Sequence, residues 1–267
     1  MEINLMLGYT GAFATGLILG LLGGGGALLS IPVLVYFFHL EASVATGYSL
    51  FLIGIAASSG ALQNIRKKMV DYNAALYYGI PSVVTVYIFR RFIIHELPDT
   101  IFILGSFSLS KNNLILFLLT LVMFGVAYKM IGSNGEDIKD GKRSVNHVML
   151  MVYAVIIGCF LGLVGAGGGF LMTPALIYFA NLNMKKAIGT SLLLVAINSF
   201  IGFLGDLHSD MQMDWKFLLF FSVFSISGVA AGNYLAHFAN NQKLKKGFGW
   251  FVLFTGVLIL VKELFLK

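Results

Sequence analysis

Ten apolar stretches separated by short polar punctuation run the length of the chain. Ile3–Leu22 comes first, followed after the run Gly23–Gly26 by a shorter stretch, Ala27–Leu40. Val44–Gln63, Asn73–Arg90 and Leu114–Ile131 follow, with Pro81 marking a kink inside the fourth. At 1.5 Å per residue, about 20 apolar residues in a helix cross the roughly 30 Å of a bilayer interior. Arg91–Asn113 mixes Pro98, charges and apolar residues, and the pattern predicts an interfacial segment there without assigning an element. Past the polar linker Gly132–Asn146 the pattern restarts: Val148–Val164, the break Gly165–Gly169, then Phe170–Leu182, Ala187–Leu204, Trp215–Phe238 and Phe248–Val261. Each half holds five segments, the second of them short.

The restart is a repeat. At a fixed offset of 142 residues, GLLGGGGALLSIPVLVYFFHL (Gly20–Leu40) aligns with GLVGAGGGFLMTPALIYFANL (Gly162–Leu182). Carried without a gap from Gly16 to Leu62, about 20 of the 47 paired positions are identical, more than shared apolar composition gives. Pro32 pairs with Pro174, Tyr36 with Tyr178, Gly47 with Gly189, and Ser49 with Ser191. The expected fold is an all-α polytopic membrane protein of two inverted repeats, 1–131 and 147–267, joined by the linker 132–146 into a single transmembrane domain with Gly-rich broken or re-entrant helices.

Composition agrees: 58% of residues are hydrophobic and 11% charged, against about 25% charged in a soluble domain. The net charge of +6 comes from short basic clusters between apolar runs, which is the pattern of cytoplasmic loops and not of a nucleic-acid surface. If each glycine break reverses the chain, one face collects about twelve basic residues (Arg66–Lys68, the linker region, Lys185, Lys186, Lys243–Lys246) and the other about six. If each break is only a kink, the split is about ten to eight and the bias disappears. Reversal inverts the second half and puts both termini outside. The lone Cys159 reads as a small apolar residue, and the N-terminal stretch lacks the basic start of a cleavable signal.

Four consecutive glycines are a poor helix interior, each costing about 1 kcal/mol relative to alanine. Irregular backbone at membrane depth is tolerated where it lines a cavity or is buried in protein, and broken helices in inverted halves point to a midplane substrate site. Glycine N–H groups and the N-terminus of the short following helix together suit an anion without any lysine or arginine. The candidate contacts are Gly24, Gly25 and Gly26 in the first break and Gly167, Gly168 and Gly169 in the second. Ser49, Thr190, Ser191 and Asn198 join them as polar groups inside apolar runs, where Ser49 and Ser191 are repeat mates. Small-residue packing is the competing explanation, and Gly16/Gly20, Gly158/Gly162 and Gly228/Gly232 fit it well. Gln63 and Asn64 stand near a span end and could be solvated. Asp71 and Asp214 are read as helix caps. Asp206 and His208 could carry a coupling proton but are read as loop residues. No catalytic, cofactor or metal motif is present: Gly-x-Ser-x-Gly, His-Glu-x-x-His and the phosphate loop are all missing.

The Gly-rich break followed by proline, the Gly-[Tyr/Thr]-Ser-Leu segments Gly47–Leu50 and Gly189–Leu192, and the stretch Trp215–Gly249 resemble the TauE/SafE sulfite exporter family. The resemblance implies a multi-pass bacterial inner-membrane transporter, not an enzyme, moving sulfite, sulfonates or related organosulfur anions outward. Its partners would be that anion and the lipid bilayer, with a homodimer left open. A passive anion channel and a non-transporting membrane scaffold are the alternatives.

Overall fold

Each of the ten apolar stretches carries a helix. The computed structural model describes residues 2–40, 42–93, 100–104, 107–110, 120–121, 123–125, 127–128, 130–132, 147–164, 169–206 and 213–265. In the first half these are α1 (Glu2–Leu22), α2 (Ala27–Phe38), α3 (Ala42–Arg66), α4 (Tyr72–Ile88) and α5, the helical residues between 120 and 131. In the second half α6 (His147–Val164), α7 (Gly169–Phe179), α8 (Met184–Asp206), α9 (Trp215–Phe238) and α10 (Asn241–Phe265) repeat the order. A π-helical turn, Phe89–Ile93, extends α4. An antiparallel hairpin of β1 (Thr100–Leu104) and β2 (Phe107–Ser110), with Leu104 opposite Phe107, occupies part of the stretch the apolar pattern left unassigned.

Local chemistry sets several boundaries. Asp71 and Asp214 accept from the backbone N–H groups of Ala74 (2.8 Å) and Phe217 (3.1 Å), capping α4 and α9 as expected. The reversals after α2 and α7 pass through His39 and Asn181, both with positive φ. Pro32 and Pro174 sit inside α2 and α7.

Three helices among the described residues are long and apolar enough to cross a membrane: Val44–Arg66, Met184–Gly205 and Trp215–Phe238. With 12 and 11 residues, α2 and α7 reach only about 18 Å and stop short of a full crossing. Leu219, Phe220 and Val223 on α9 are more than 60% exposed, and Tyr72, Trp215 and Phe238 are exposed at helix ends. A surface this apolar faces lipid, with aromatic residues toward its rims.

Inside lipid the hydrophobic effect does not pull helices together, so small residues decide which helices meet. α1 lies along α9, where Gly16 and Gly20 meet the backbones of Ser225 and Val229 while Gly228 and Gly232 meet those of Phe13 and Leu17. The order of these contacts makes α1 and α9 parallel. α4 and α6 are likewise parallel, with Gly158 against Thr85 and Gly162 against Phe89. In repeat terms α1 and α6 are mates and α4 and α9 are mates, so the two pairings exchange. α3 and α8, also mates, run antiparallel: Gly60 meets Leu192, Gly54 meets Phe200, and Leu50 meets Gly202.

Carbonyl oxygens stand where side chains would go at Gly16 and Gly232, and backbone cannot step aside as a flexible side chain can. Gly232→Val should therefore lower stability by about 1–3 kcal/mol or prevent assembly. Thermal unfolding of the detergent-solubilised protein checks this, and Gly247→Val, with open space around it, should be neutral by comparison.

Candidate functional site at the glycine break

Gly23 ends α1 with φ at +75°, a left-handed conformation that favours glycine, while its N–H still closes the last turn on the Leu19 carbonyl (2.8 Å). The chain then turns back on itself. α2 runs antiparallel along α1, bringing Gly11 against Val33 and Gly8 against Phe38. The break is thus a reversal and not a kink. The α6–α7 pair folds the same way, with Tyr153 of α6 and Phe179 of α7 in ring contact at 4.2 Å.

The N–H groups of Gly24, Gly25 and Gly26 donate to no acceptor among the described residues. All three glycines are buried. Buried N–H groups in proteins are almost always paired, so three in succession are an exception that calls for a ligand or water. Helix α2 begins directly after them, adding the positive end of its dipole.

Backbone, apolar side chains and, at the adjoining Gly23, hydroxyls surround these amides. Gly24 abuts Gly169, the first residue of α7, so the first break touches the end of the second. The Ser191 hydroxyl donates to the Gly23 carbonyl. Thr173 Oγ1 lies 3.0 Å from Ser191 Oγ and 3.3 and 3.4 Å from the Leu22 and Gly23 carbonyls. Gly25 lies under the ring of Phe251 and Gly26 against the Thr15 carbonyl.

The candidates named from sequence therefore separate into groups. Gly24, Gly25, Gly26, Gly169 and Ser191 come together at one junction. Gly167 and Gly168 lie outside the described residues. Ser49 bonds Ser30 of α2 at 2.5 Å, fully buried, on the other side of the α3–α8 crossing from Ser191. Thr190 Oγ1 accepts from the Asp71 N–H (2.9 Å), holding the turn before α4. Asn198 donates to Ser82 of α4 (3.0 Å).

Asn64, which its place near a span end left open to solvent, is buried, bonding the Gly60 carbonyl (2.9 Å) and Asn233 of α9 (3.2 Å). These amides border a cavity of about 30 Å³ lined also by Lys67, Lys185, Ile188 and His237. Its wall residue Ile188 packs against Gly23. Asn233, Thr173, Ser30 and Ser82 were missed from sequence. Asn233, directly after the small-residue run Gly228–Gly232, carried a readable signal as an amide inside an apolar span. Ser30 and Thr173 carried little, because their repeat mates, Met172 and Ile31, are apolar.

The family model described as "Sulfite exporter TauE/SafE" matches residues 9–259, and the chain belongs to this family. Among its relatives is a "Probable membrane transporter protein" of Xylella fastidiosa (strain 9a5c), 26% identical over 92% of this chain and 90% of the relative. Bacillus subtilis (strain 168) has one named "Probable membrane transporter protein YunE", 27% identical over 74% of this chain and 76% of its own length. No solved structure matches the chain. The protein is a membrane transporter by family.

The contacts distinguish neighbouring glycines. A methyl at Gly24 would meet the Gly169 backbone, whereas one at Gly25 would lie 2.8 Å from the edge of the Phe251 ring, which can rotate away. Gly24→Ala should cost about 1–3 kcal/mol and Gly25→Ala about 1 kcal/mol or less. Thermal unfolding of the two variants side by side measures the difference.

Proposed function

We propose that the protein exports small sulfur-containing anions, such as sulfite or sulfonates, across the bacterial inner membrane, with the anion received by the amides of the glycine break. The carrying observation is the run of N–H groups at the buried Gly24–Gly26 that have no acceptor among the described residues, next to Gly23, whose carbonyl meets the hydroxyls of Ser191 and Thr173. Donors without formal charge can hold an oxyanion and still release it, as export requires. Gly167–Gly169 supply the equivalent amides from the second half. Ser49 and Thr190 support the helices around the site, and Asn198 contributes from further along α8.

The two halves form one domain, related by a pseudo-two-fold axis in the membrane plane. The antiparallel course of the mates α3 and α8, and the exchanged pairings α1–α9 and α4–α6, support this relation. Inverted halves allow one site to be exposed alternately to either face. Close backbone contact between Gly24 and Gly169 leaves the junction shut, which favours a carrier over a passive channel.

Cysteines placed at Arg66 and Lys185 should both react with impermeant reagents from the cytoplasmic side. Reaction from opposite sides would overturn the inverted arrangement. In liposomes the purified protein should carry sulfite or a sulfonate at least tenfold faster than a cation or a neutral solute of similar size. A flux confined to cations would end the assignment.

A further inference from the structure

One face of α8 links the features described so far. In order along the helix, Ile188 walls the basic cavity, Ser191 holds Gly23, Val195 packs on Gly169, and Asn198 reaches Ser82. At 100° per residue these four positions fall within a stripe about 80° wide. Asn198 lies about 10 Å beyond Ser191 along the axis. It is also central: the contacts of Gly60 with Leu192 and of Leu50 with Gly202 put Asn198 level with its own repeat mate, Ala56. Two mates can be level only near the centre of an antiparallel pair, so this is the midpoint of the α3–α8 crossing.

Near this level α4 and α8 carry buried polar groups without enough partners among the described residues. Tyr78 and Ser82, one turn apart on α4, and Ser199, next to Asn198, are all fully buried, and Asn198 is 3% exposed. The Tyr78 hydroxyl, Asn198 Oδ1 and the Ser199 hydroxyl have no hydrogen-bond partner among the described residues. Pro81 has no N–H, so the Tyr77 carbonyl also lacks its ordinary helix donor. Other buried or half-buried hydroxyls bond back to their own helix, as at Thr15, Ser58, Ser59 and Thr85, although Ser222 of α9 is a further one without a partner among the described residues. An unpaired polar atom in a dry interior costs about 1–3 kcal/mol, so a cluster of them at the centre of a membrane protein implies a polar occupant.

We infer that Tyr78, Ser82, Asn198 and Ser199 form a second solute-contact station on the seam between α4 and α8, occupied by water at rest and by the sulfonate or sulfite oxygens in transit. The inference rests on the anion-transport reading. The path it defines follows the α8 stripe from the Lys67–Lys185 cavity, past the glycine junction, to this seam. All four groups are neutral, so the station passes an anion on without trapping it.

Cysteine accessibility tests it in a Cys159→Ser parent whose sulfoacetate flux is measured first. Ser82→Cys and Ser199→Cys are close to isosteric and should fold. Both should react with the anionic 2-sulfonatoethyl methanethiosulfonate at least tenfold faster than Ile197→Cys, which is exposed on the lipid side at the same depth. Saturating sulfoacetate, but not chloride, should slow the Ser82→Cys reaction at least threefold. Reactivity no greater than that of Ile197→Cys overturns the station. Reaction that sulfoacetate does not slow leaves a water pocket off the path and equally overturns it. A parent that carries neither sulfoacetate nor sulfite fails the transport reading itself, a result separate from either labelling outcome.

Discussion

A backbone N–H placed at membrane depth must find an acceptor, and at Gly24–Gly26 it finds none among the described residues. Much of the architecture can be understood as the means of keeping those amides away from lipid. Short helices α2 and α7 turn back along α1 and α6, and the irregular chain at Gly23–Gly26 stays inside the bundle. Backbones that approach closely elsewhere, at Gly16, Gly20, Gly228 and Gly232, clamp α1 to α9 and fix the wall behind the first break. Ser191 and Thr173 serve the Gly23 and Leu22 carbonyls, the Gly24 and Gly26 carbonyls accept from Ala27 and Leu29, and the N–H groups of Gly24–Gly26 have no acceptor among the described residues. Open donors beside largely satisfied carbonyls are what an anion-binding element requires.

Close packing and substrate binding are opposed explanations for the glycines, and the structure shows the packing contacts residue by residue. Gly24 is a packing residue through its contact with Gly169, yet its N–H is one of the three left open. The absence of a side chain serves both ends. It lets two chain segments meet, and it leaves the amide uncovered when they part. Charge stays at the edge: Lys67 and Lys185 border the small cavity behind Ile188, while hydroxyls and amides line the α8 stripe further in. An anion would be gathered by charge and conducted by neutral donors.

The fold was legible because two signals agreed. An ungapped repeat set the order of elements, and the basic residues required each glycine break to reverse the chain, as the α1–α2 pair does. The caps at Asp71 and Asp214 followed from residue type and position. The hairpin at Thr100–Ser110 was not legible, because a lone two-stranded ribbon between membrane segments leaves no repeat mate and no helical period. At the site, glycines could be named from sequence because their cost inside a helix demands a reason. Hydroxyls could not be sorted. Ser49 and Ser191 are identical by repeat, but Ser191 serves the glycine junction while Ser49 bonds Ser30 at a different depth. Tertiary position, not residue type, separates them.

The central claim is that the sealed Gly24–Gly169 junction opens and recloses once for each anion carried. Sulfite counterflow in proteoliposomes tests it most directly. Vesicles preloaded with unlabelled sulfite should take up labelled sulfite faster than empty ones, and the rate should saturate with external concentration. Uptake that rises linearly, follows the membrane potential and ignores the internal sulfite would mean a permanently open pathway and contradict the account.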